Sequence, residues 1–318
     1  MAIEAILVNE NKPTPLSLAL SKLEIKTHKN MWAPSAQVLD SISACFISFY
    51  DCINHPLRVL RLRQILRQRN IPLMAWNRDA PGYMNKAKWQ LDLLERAQLI
   101  DIYLSHALPD ERQFAKTQEL LHNAAQVEIY NLNGVSLEQL DINDDYIYDV
   151  TFFGAMDGSR YKEYEKRQSF FSQLSSALIS QGISFNFIDT LKTPLSASQQ
   201  VRLIQTSRIN LNFDAGCEYG HASGFGLPER CFGIPACGGF LLSDFRLHAE
   251  DAFDIGSEWA HFRDLTDAVE KIKYHLSDFG KTRRIARNAH ARVMRDHTYR
   301  NRALHTLDII EQWNLKKK

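Results

Sequence analysis

The sequence predicts an α/β chain built as two Rossmann-like domains, and three observations carry that expectation. The chain has 318 residues of which 45% are hydrophobic, enough for two cores rather than one. Short apolar runs alternate with amphipathic stretches along both halves, the pattern of a parallel sheet covered by helices. A glycine-containing loop in the second half runs directly into a helix start and then into another apolar run, GHASGFGLPERCFGIPACGGFLLSD over 220–244. The domains are expected at 1–145 and 146–318, facing each other across a cleft, with the C-terminal helices crossing back.

In the first half, AIEAILV opens as a strand-like run and ACFISFY (44–50) follows. LRVLRLRQILRQR (57–69) then places Leu57, Leu60, Ile65 and Leu66 on one helical face. IPLMAW (71–76) and LIDIYLS (99–105) read as strands around a helix over 87–98. A helix is expected over 111–125 and a strand over 127–132. The acid-rich LEQLDINDDYIYD (137–149) breaks the rhythm and is expected to be the linker. The second alternation gives strands at VTFFGA (150–155), ISFNFID (183–189), INLNFD (209–214) and GFLLSD (239–244), separated by helices. From 265 onward, LTDAVEKIKYHLSD and TRRIARNAHARVMRDHTYRNRALHTLDIIEQW are expected to be helical, and the LKKK tail disordered.

Charge and cysteine content exclude several classes. With 38 Lys and Arg against 37 Asp and Glu, the net charge of +1 gives no global attraction for nucleic acid. Five cysteines without a Cys-x-x-Cys pair read as reduced thiols. Without a signal-peptide pattern or a long apolar run, the chain is expected to be cytoplasmic, or at the inner face of a membrane. The basic stretch 281–302, eight cations against one Asp, reads as a solvated helix or as a contact with anionic lipid. No zinc-type histidine pattern and no Asp-x-Asp element is present, so metal-independent chemistry without a cofactor is expected. GAMDGSR (154–160) lacks the nicotinamide-cofactor spacing, and no P-loop motif occurs.

The glycine loop carries the chemistry. In a doubly wound sheet, ligands sit beyond the carboxyl ends of the strands, and a helix start there can face a phosphate. Gly154, Gly224 and Gly226 are expected to allow close approach of a nucleotide, with Arg230 pairing with its diphosphate and Gly239 letting the chain return tightly. Residues following first-half strands are candidates for acid–base work: Asp51 and His55, Asp79, and His106. Each also has a local explanation as a turn or cap residue.

GLPERCFGIPACGGFLLSD, followed by WAHFRDLTDAVEKIKYHL and RNAHARVMRDHTYRNRA, resembles the C-terminal half of glycosyltransferases of the two-Rossmann GT-B fold. The likeness is to the spore-maturation-type "glycosyl transferases group 1" subfamily, over roughly 150–305. VTFFGA with Arg167 in the next helix is similar to that family's start of the second domain. The resemblance implies a hexosyltransferase that uses a nucleoside-diphosphate sugar and an acceptor that is a glycan, a lipid-linked sugar or a protein. One position departs: the family places Glu immediately after the Phe of this helix, toward the ribose, and here Gly233 stands there. Glu229, one helical turn earlier, is the expected substitute. The departure keeps two other readings open, a non-catalytic nucleotide or glycan binding module and a sugar-nucleotide epimerase.

Overall fold

The computed structural model describes residues 3–10, 13–78, 88–108, 112–142, 146–159, 164–214 and 225–316. They divide into two compact units, Met1–Asn123 with Tyr299–Lys318, and Ala124–Thr298.

The first unit holds β1 (Ala5–Asn9), α1 (Pro15–Lys22), β2 (Lys26–Lys29), α2 (Ala36–Ser41), β3 (Cys45–Ser48), α3 (Phe49–Asn54), α4 (Pro56–Arg67), β4 (Leu73–Asn77), α5 (Lys88–Ala97), β5 (Ile102–Ser105) and β6 (Thr117–Leu120). The six strands are parallel in the order β2-β1-β3-β4-β5-β6. β1 therefore pairs with both β2 and β3, and strand order reverses beside it. Its sequence AILVN is buried along its whole length, as a central strand covered on both faces must be. Thr14 begins α1 by a capping box with Ser17, and Pro15 occupies a first-turn position where its missing N–H costs nothing.

The second unit holds α6 (Leu137–Asp141), β7 (Tyr148–Gly154), α7 (Glu165–Ser180), β8 (Phe185–Asp189), α8 (Ala197–Gln205), β9 (Ser207–Asn212), α9 (Arg230–Ala236), β10 (Leu241–Asp244), α10 (Ala249–Ala252), β11 (Ala260–Phe262), α11 (Leu265–Ser277) and α12 (Phe279–Asp296). Its parallel sheet has the order β11-β10-β9-β7-β8, so the reversal falls between β7 and β9. Stacked phenylalanines fill one side: Phe170 lies on Phe213 at a centroid distance of 3.7 Å and faces Phe262 at 5.6 Å. The last helix, α13 (Tyr299–Lys316), returns to the first unit and packs on α1. Arg302 on that helix donates to the carbonyls of His122 and Asn123, binding the end of the chain to that unit.

Four sequence expectations are corrected. Residues 111–125 are not a helix but contain the edge strand β6, whose polar TQEL stays half-exposed, as edge strands tend to be. Residues 127–132 are a turn, with the N–H groups of Ile129 and Tyr130 both donating to the Gln126 carbonyl. The division between units comes earlier than 145, because Ala125, Val127 and Tyr130 already pack into the core of the second unit and the Ala125 N–H donates to the His297 carbonyl. The acid-rich 137–149 segment is not a plain linker. Its helix α6 offers Asp141 to Arg283 and Arg287, and Glu138 to Arg287, while Arg292 and Arg295 pair with Asp296. The basic stretch thus finds much of its countercharge inside its own unit. Among the described residues, no helix is long and apolar enough to cross a membrane. Cys45, Cys52, Cys231 and Cys237 are buried free thiols, and Cys217 lies outside the described residues.

One buried group makes the second unit acid-sensitive. Burial, assisted by Lys271 and Lys281, pushes His275 down from 6.5 to about 4. The Thr282 hydroxyl donates to the His275 carbonyl, so its oxygen accepts from the ring Nδ1 at 3.0 Å. The fold holds this imidazole neutral while the unfolded chain takes up a proton below its ordinary value. The stability it contributes is therefore complete above pH 6.5 and is lost as pH falls toward 4. Wild type should lose up to roughly 3 kcal/mol more than His275→Gln between those limits, measured by urea unfolding. Equal losses would place the titration elsewhere.

Candidate functional site

The carboxyl ends of β7, β9 and β10 are tied together by buried arginines. Arg167, in the first turn of α7, donates through Nε to the Phe213 carbonyl at 3.1 Å and through Nη1 to the Ala155 carbonyl at 2.7 Å. Its Nη2 reaches the Asp214 carbonyl. Arg246 grips Asp244 with both arms, Nε at 3.0 Å and Nη2 at 2.8 Å. Asp244 in turn accepts from the Asn212 amide at 3.0 Å and the Asp214 N–H at 2.9 Å. Arg246 also donates to the Gly226 carbonyl at 3.5 Å, and the His248 N–H donates to the Phe225 carbonyl at 3.1 Å. Gly226 is thus held by the protein's own arginine. Gly224 lies outside the described residues.

Arg230 opens α9 and folds back over the end of β7. Its Nη1 donates to the Phe153 carbonyl at 2.8 Å, and its guanidinium lies 4.7 Å from the Phe152 ring centre. Gly154 makes this position available, since a Cβ there would stand 2.8 Å from Arg230 Nη2. Burial and the neighbouring Arg167 pull its pKa down to about 10, so it stays charged at neutral pH. Around it, among the described residues, stand the guanidinium groups of Arg167 and Arg246 and the Lys166 ammonium, against the carboxylates of Asp214 and Asp244.

At the start of α9 three N–H groups have internal partners. Cys231 N–H donates to the Pro228 carbonyl, and Phe232 and Gly233 N–H donate to the Glu229 carbonyl. Glu229 lies beside Arg230, exposed, in a helical backbone conformation. At the other end, Gly238 takes φ +76° and donates to the Pro235 carbonyl while Gly239 donates to that of Ile234, which is a Schellman termination. Gly239 is a packing residue: a Cβ on it would stand 2.5 Å from Ile204 Cγ2.

A cavity of about 450 Å³ adjoins Arg230 and Glu229, walled by Tyr130, Pro194, Leu195 and Gln200. The Tyr130 hydroxyl donates to Gln200 Oε1 at 2.6 Å, and Gln200 Nε2 donates to the Leu195 carbonyl at 3.0 Å, so the amide is held at both ends. Burial, and then the nearby Glu229, push the Tyr130 phenol up. Gly233 lies beneath the Tyr130 ring, and a Cβ there would meet the ring at 3.4 Å. A longer side chain at 233 would compete with the tyrosine for this space. Tyr130 and Gln200 escaped the sequence reading because they lie 70 residues apart and belong to no motif.

Among the described first-half candidates, Asp51 and His55 lie close enough for the histidine to act on the carboxyl. Asp51 is the third residue of α3, where its Oδ2 accepts from the Ser48 N–H at 3.2 Å in a capping box, and burial raises its pKa. His55 is exposed at the junction of α3 and α4, its carbonyl accepting from Arg58 and Val59. His106 follows β5 and is fully buried, with its N–H on the Asn77 carbonyl at 3.2 Å. Asp79 lies outside the described residues.

With the site assembled, comparison gives it a context. The family model described as glycosyl transferase-like matches residues 138–308, more than half of the chain. The chain belongs to the glycosyl transferase-like family. Among solved structures, Thermosynechococcus elongatus sucrose-phosphate synthase superposes with a TM-score of 0.64 at 10% identity, covering 98% of this chain and 100% of that one. Anabaena HepE in complex with UDP gives 0.60 at 10% identity over 98% and 100%. An Escherichia coli trehalose-6-phosphate structure bound with UDP-2-fluoro glucose gives 0.58 at 11% identity over 97% and 99%. At these identities the likeness establishes the fold, which is the GT-B type with two Rossmann-like units. A search of curated proteins found no match.

The two glycines differ in what they crowd, which sets an order of effects. Gly239→Ala meets a branched core side chain and should cost about 1–3 kcal/mol in urea unfolding. Gly154→Ala meets Arg230 Nη2 at 2.8 Å and the Phe152 ring at 3.0 Å, both farther than the 2.5 Å contact at Gly239, and should cost less. The reverse order would contradict the packing role of Gly239.

Proposed function

We propose that this chain is a hexosyltransferase of the spore-maturation type, and that its second unit holds a nucleoside-diphosphate-sugar donor, with UDP as the leading nucleotide. The observation that carries the reading is the 450 Å³ cavity with Arg230 and Glu229 side by side at its edge. Its aromatic and apolar walls, Tyr130 and Leu195, suit a nucleobase, and the fixed Gln200 amide suits recognition of a base edge. Glu229 can accept from ribose hydroxyls. Arg230 faces the diphosphate, whose charge grows as the bond to the anomeric carbon breaks. Guanidinium groups in a partly dry site stabilise that leaving group without a divalent ion or cofactor. UDP is favoured because HepE and the trehalose-6-phosphate structure carry UDP or a UDP sugar.

On this reading the Gly233 departure is a rearrangement within the donor seat. The Tyr130 ring covers the position a glutamate would leave from, and Glu229 supplies the carboxylate one turn earlier. The base that takes the acceptor hydroxyl's proton is proposed as Asp79, since Asp51 is committed to its cap and His106 is enclosed. The setting is proposed as cytoplasmic.

Calorimetry with UDP, GDP, ADP and TDP tests the seat. Wild type should bind one of them, and Arg230→Ala should weaken that binding about 10- to 100-fold, the effect of losing a charge-assisted contact. Unchanged affinity would remove Arg230 from the donor site. Gly233→Glu should also weaken binding, and the double variant Gly233→Glu with Tyr130→Ala should recover part of the loss. No recovery would mean that the tyrosine and the glycine are not a matched pair. Asp79→Asn should lower turnover far more than donor affinity, in a product assay by mass spectrometry with UDP-glucose and cell-extract acceptors. Tight nucleotide binding with no product over a wide panel would favour the non-catalytic binding module, and donor conversion without acceptor the epimerase.

A further inference from the structure

Two helices of the first unit, α4 and α5, cover one face of its sheet. They join β3 to β4 and β4 to β5, successive parallel neighbours, and right-handed crossovers taken in the same direction put both on the same side. Their inner residues share one core, Val59, Leu62 and Leu66 of α4 with Leu91 and Leu94 of α5. Their outer residues include large apolar side chains. Leu57 and Leu60, expected from the sequence to share a helical face with Ile65 and Leu66, are 70% and 39% exposed. Trp89 and Leu93, one turn apart on α5, are 65% and 57% exposed, and Trp89 alone among the five tryptophans is exposed. Scattered apolar side chains are ordinary on a surface, but here four share one side of one sheet.

Cations surround them. Helix α4 contains no Asp or Glu, and its Arg58, Arg61 and Arg67 are exposed. At about 100° per residue its outward arc passes Arg67, Leu60, Leu57, Arg61 and Arg58 in turn, so arginines flank the leucines. On α5, Lys88 and Arg96 are exposed, while both carboxylates, Asp92 and Glu95, are taken by Arg112. Among the described residues, none of these outward cations has an ion-pair partner. The basic stretch 281–302 differs, since Arg283, Arg287, Arg292 and Arg295 have carboxylates within their own unit.

Charge and apolar content together name the occupant. A second copy seated face to face would set these cations against themselves. A soluble polyanion would answer the cations and leave Leu57, Leu60 and Leu93 in water. An anionic bilayer answers both, because headgroups meet Arg and Lys while tryptophan and leucine enter the boundary between headgroups and acyl chains. Among the described residues no helix can cross a membrane, so the contact is confined to its surface. We propose that the outward faces of α4 and α5 dock this protein on the surface of an anionic lipid bilayer. The contact is separate from the nucleotide seat and holds whether or not the transferase reading does.

Co-sedimentation of the full chain with vesicles tests it, phosphatidylcholine alone against an equimolar mixture with phosphatidylglycerol. Wild type should bind the mixed vesicles about tenfold or more tightly than the neutral ones, and added salt should weaken that binding. Arg58→Gln with Arg61→Gln should weaken it about tenfold or more, at roughly fivefold for each cation lost. Trp89→Ser with Leu93→Ser should weaken it by a similar factor with an unchanged circular dichroism spectrum. Lys281→Gln with Arg284→Gln makes the same charge change at exposed positions of α12 and should have little effect. No preference for anionic vesicles, or an equal loss in the α12 pair, would overturn the proposal. Binding lost with the arginine pair but kept by the Trp89 and Leu93 pair would point to a soluble polyanion and overturn it as well.

Discussion

The Arg246–Asp244 pair is the contact on which the strand-end architecture of the second unit depends. Asp244 ends β10, and its two oxygens hold the Asn212 amide and the Asp214 N–H at the end of β9 as well as both arms of Arg246. Removing two charges from water costs several kcal/mol per ion, and only two-armed geometry with every remaining lone pair used makes that tolerable. Here those conditions are met. Through its third nitrogen the same arginine holds the Gly226 carbonyl, so the segment leading into α9 is anchored to the sheet. Arg167 performs the corresponding task between β7 and β9 using backbone carbonyls alone.

With those strand ends fixed, Arg230 has one place to lie. Gly154 removes the side chain that would block it, the Phe153 carbonyl takes one of its nitrogens, and the Phe152 ring supports its plane. The cation is held in position while burial and its cationic neighbours pull its pKa down without neutralising it. A guanidinium held this way loses little freedom when an anion arrives. Tyr130 and Gln200 complete the same cavity from segments that have no part in the motif. Gly233 is the residue whose small size lets the aromatic ring come close.

Much of the scaffold was legible because its signals are local. Strands β3, β4, β5, β7, β8, β9 and β10 appear as short apolar runs, and all but the half-buried edge strand β8 are buried by parallel pairing with cover on both faces. β2 and β6 did not appear, since KTHK and TQEL are polar edge strands whose only strand-forming force is the neighbour they pair with. The acid-rich stretch looked like a linker for a related reason. Its charges are matched by Arg283 and Arg287, which lie more than 140 residues away.

By itself the sequence determined two α/β units, the glycine-to-arginine segment of the second, and Arg230 as its cation, because periodicity, turn chemistry and motif order are written in neighbouring residues. Only the tertiary structure decided what those residues do. The Gly226 carbonyl and three α9 N–H groups went to internal partners, Gly239 to packing and Asp51 to a cap. The cavity walls came from Tyr130 and Gln200. The physical reason is that hydrogen-bond satisfaction is settled in three dimensions: whether a polar group is spent on the fold or left for a ligand depends on partners that the order of residues does not place beside it.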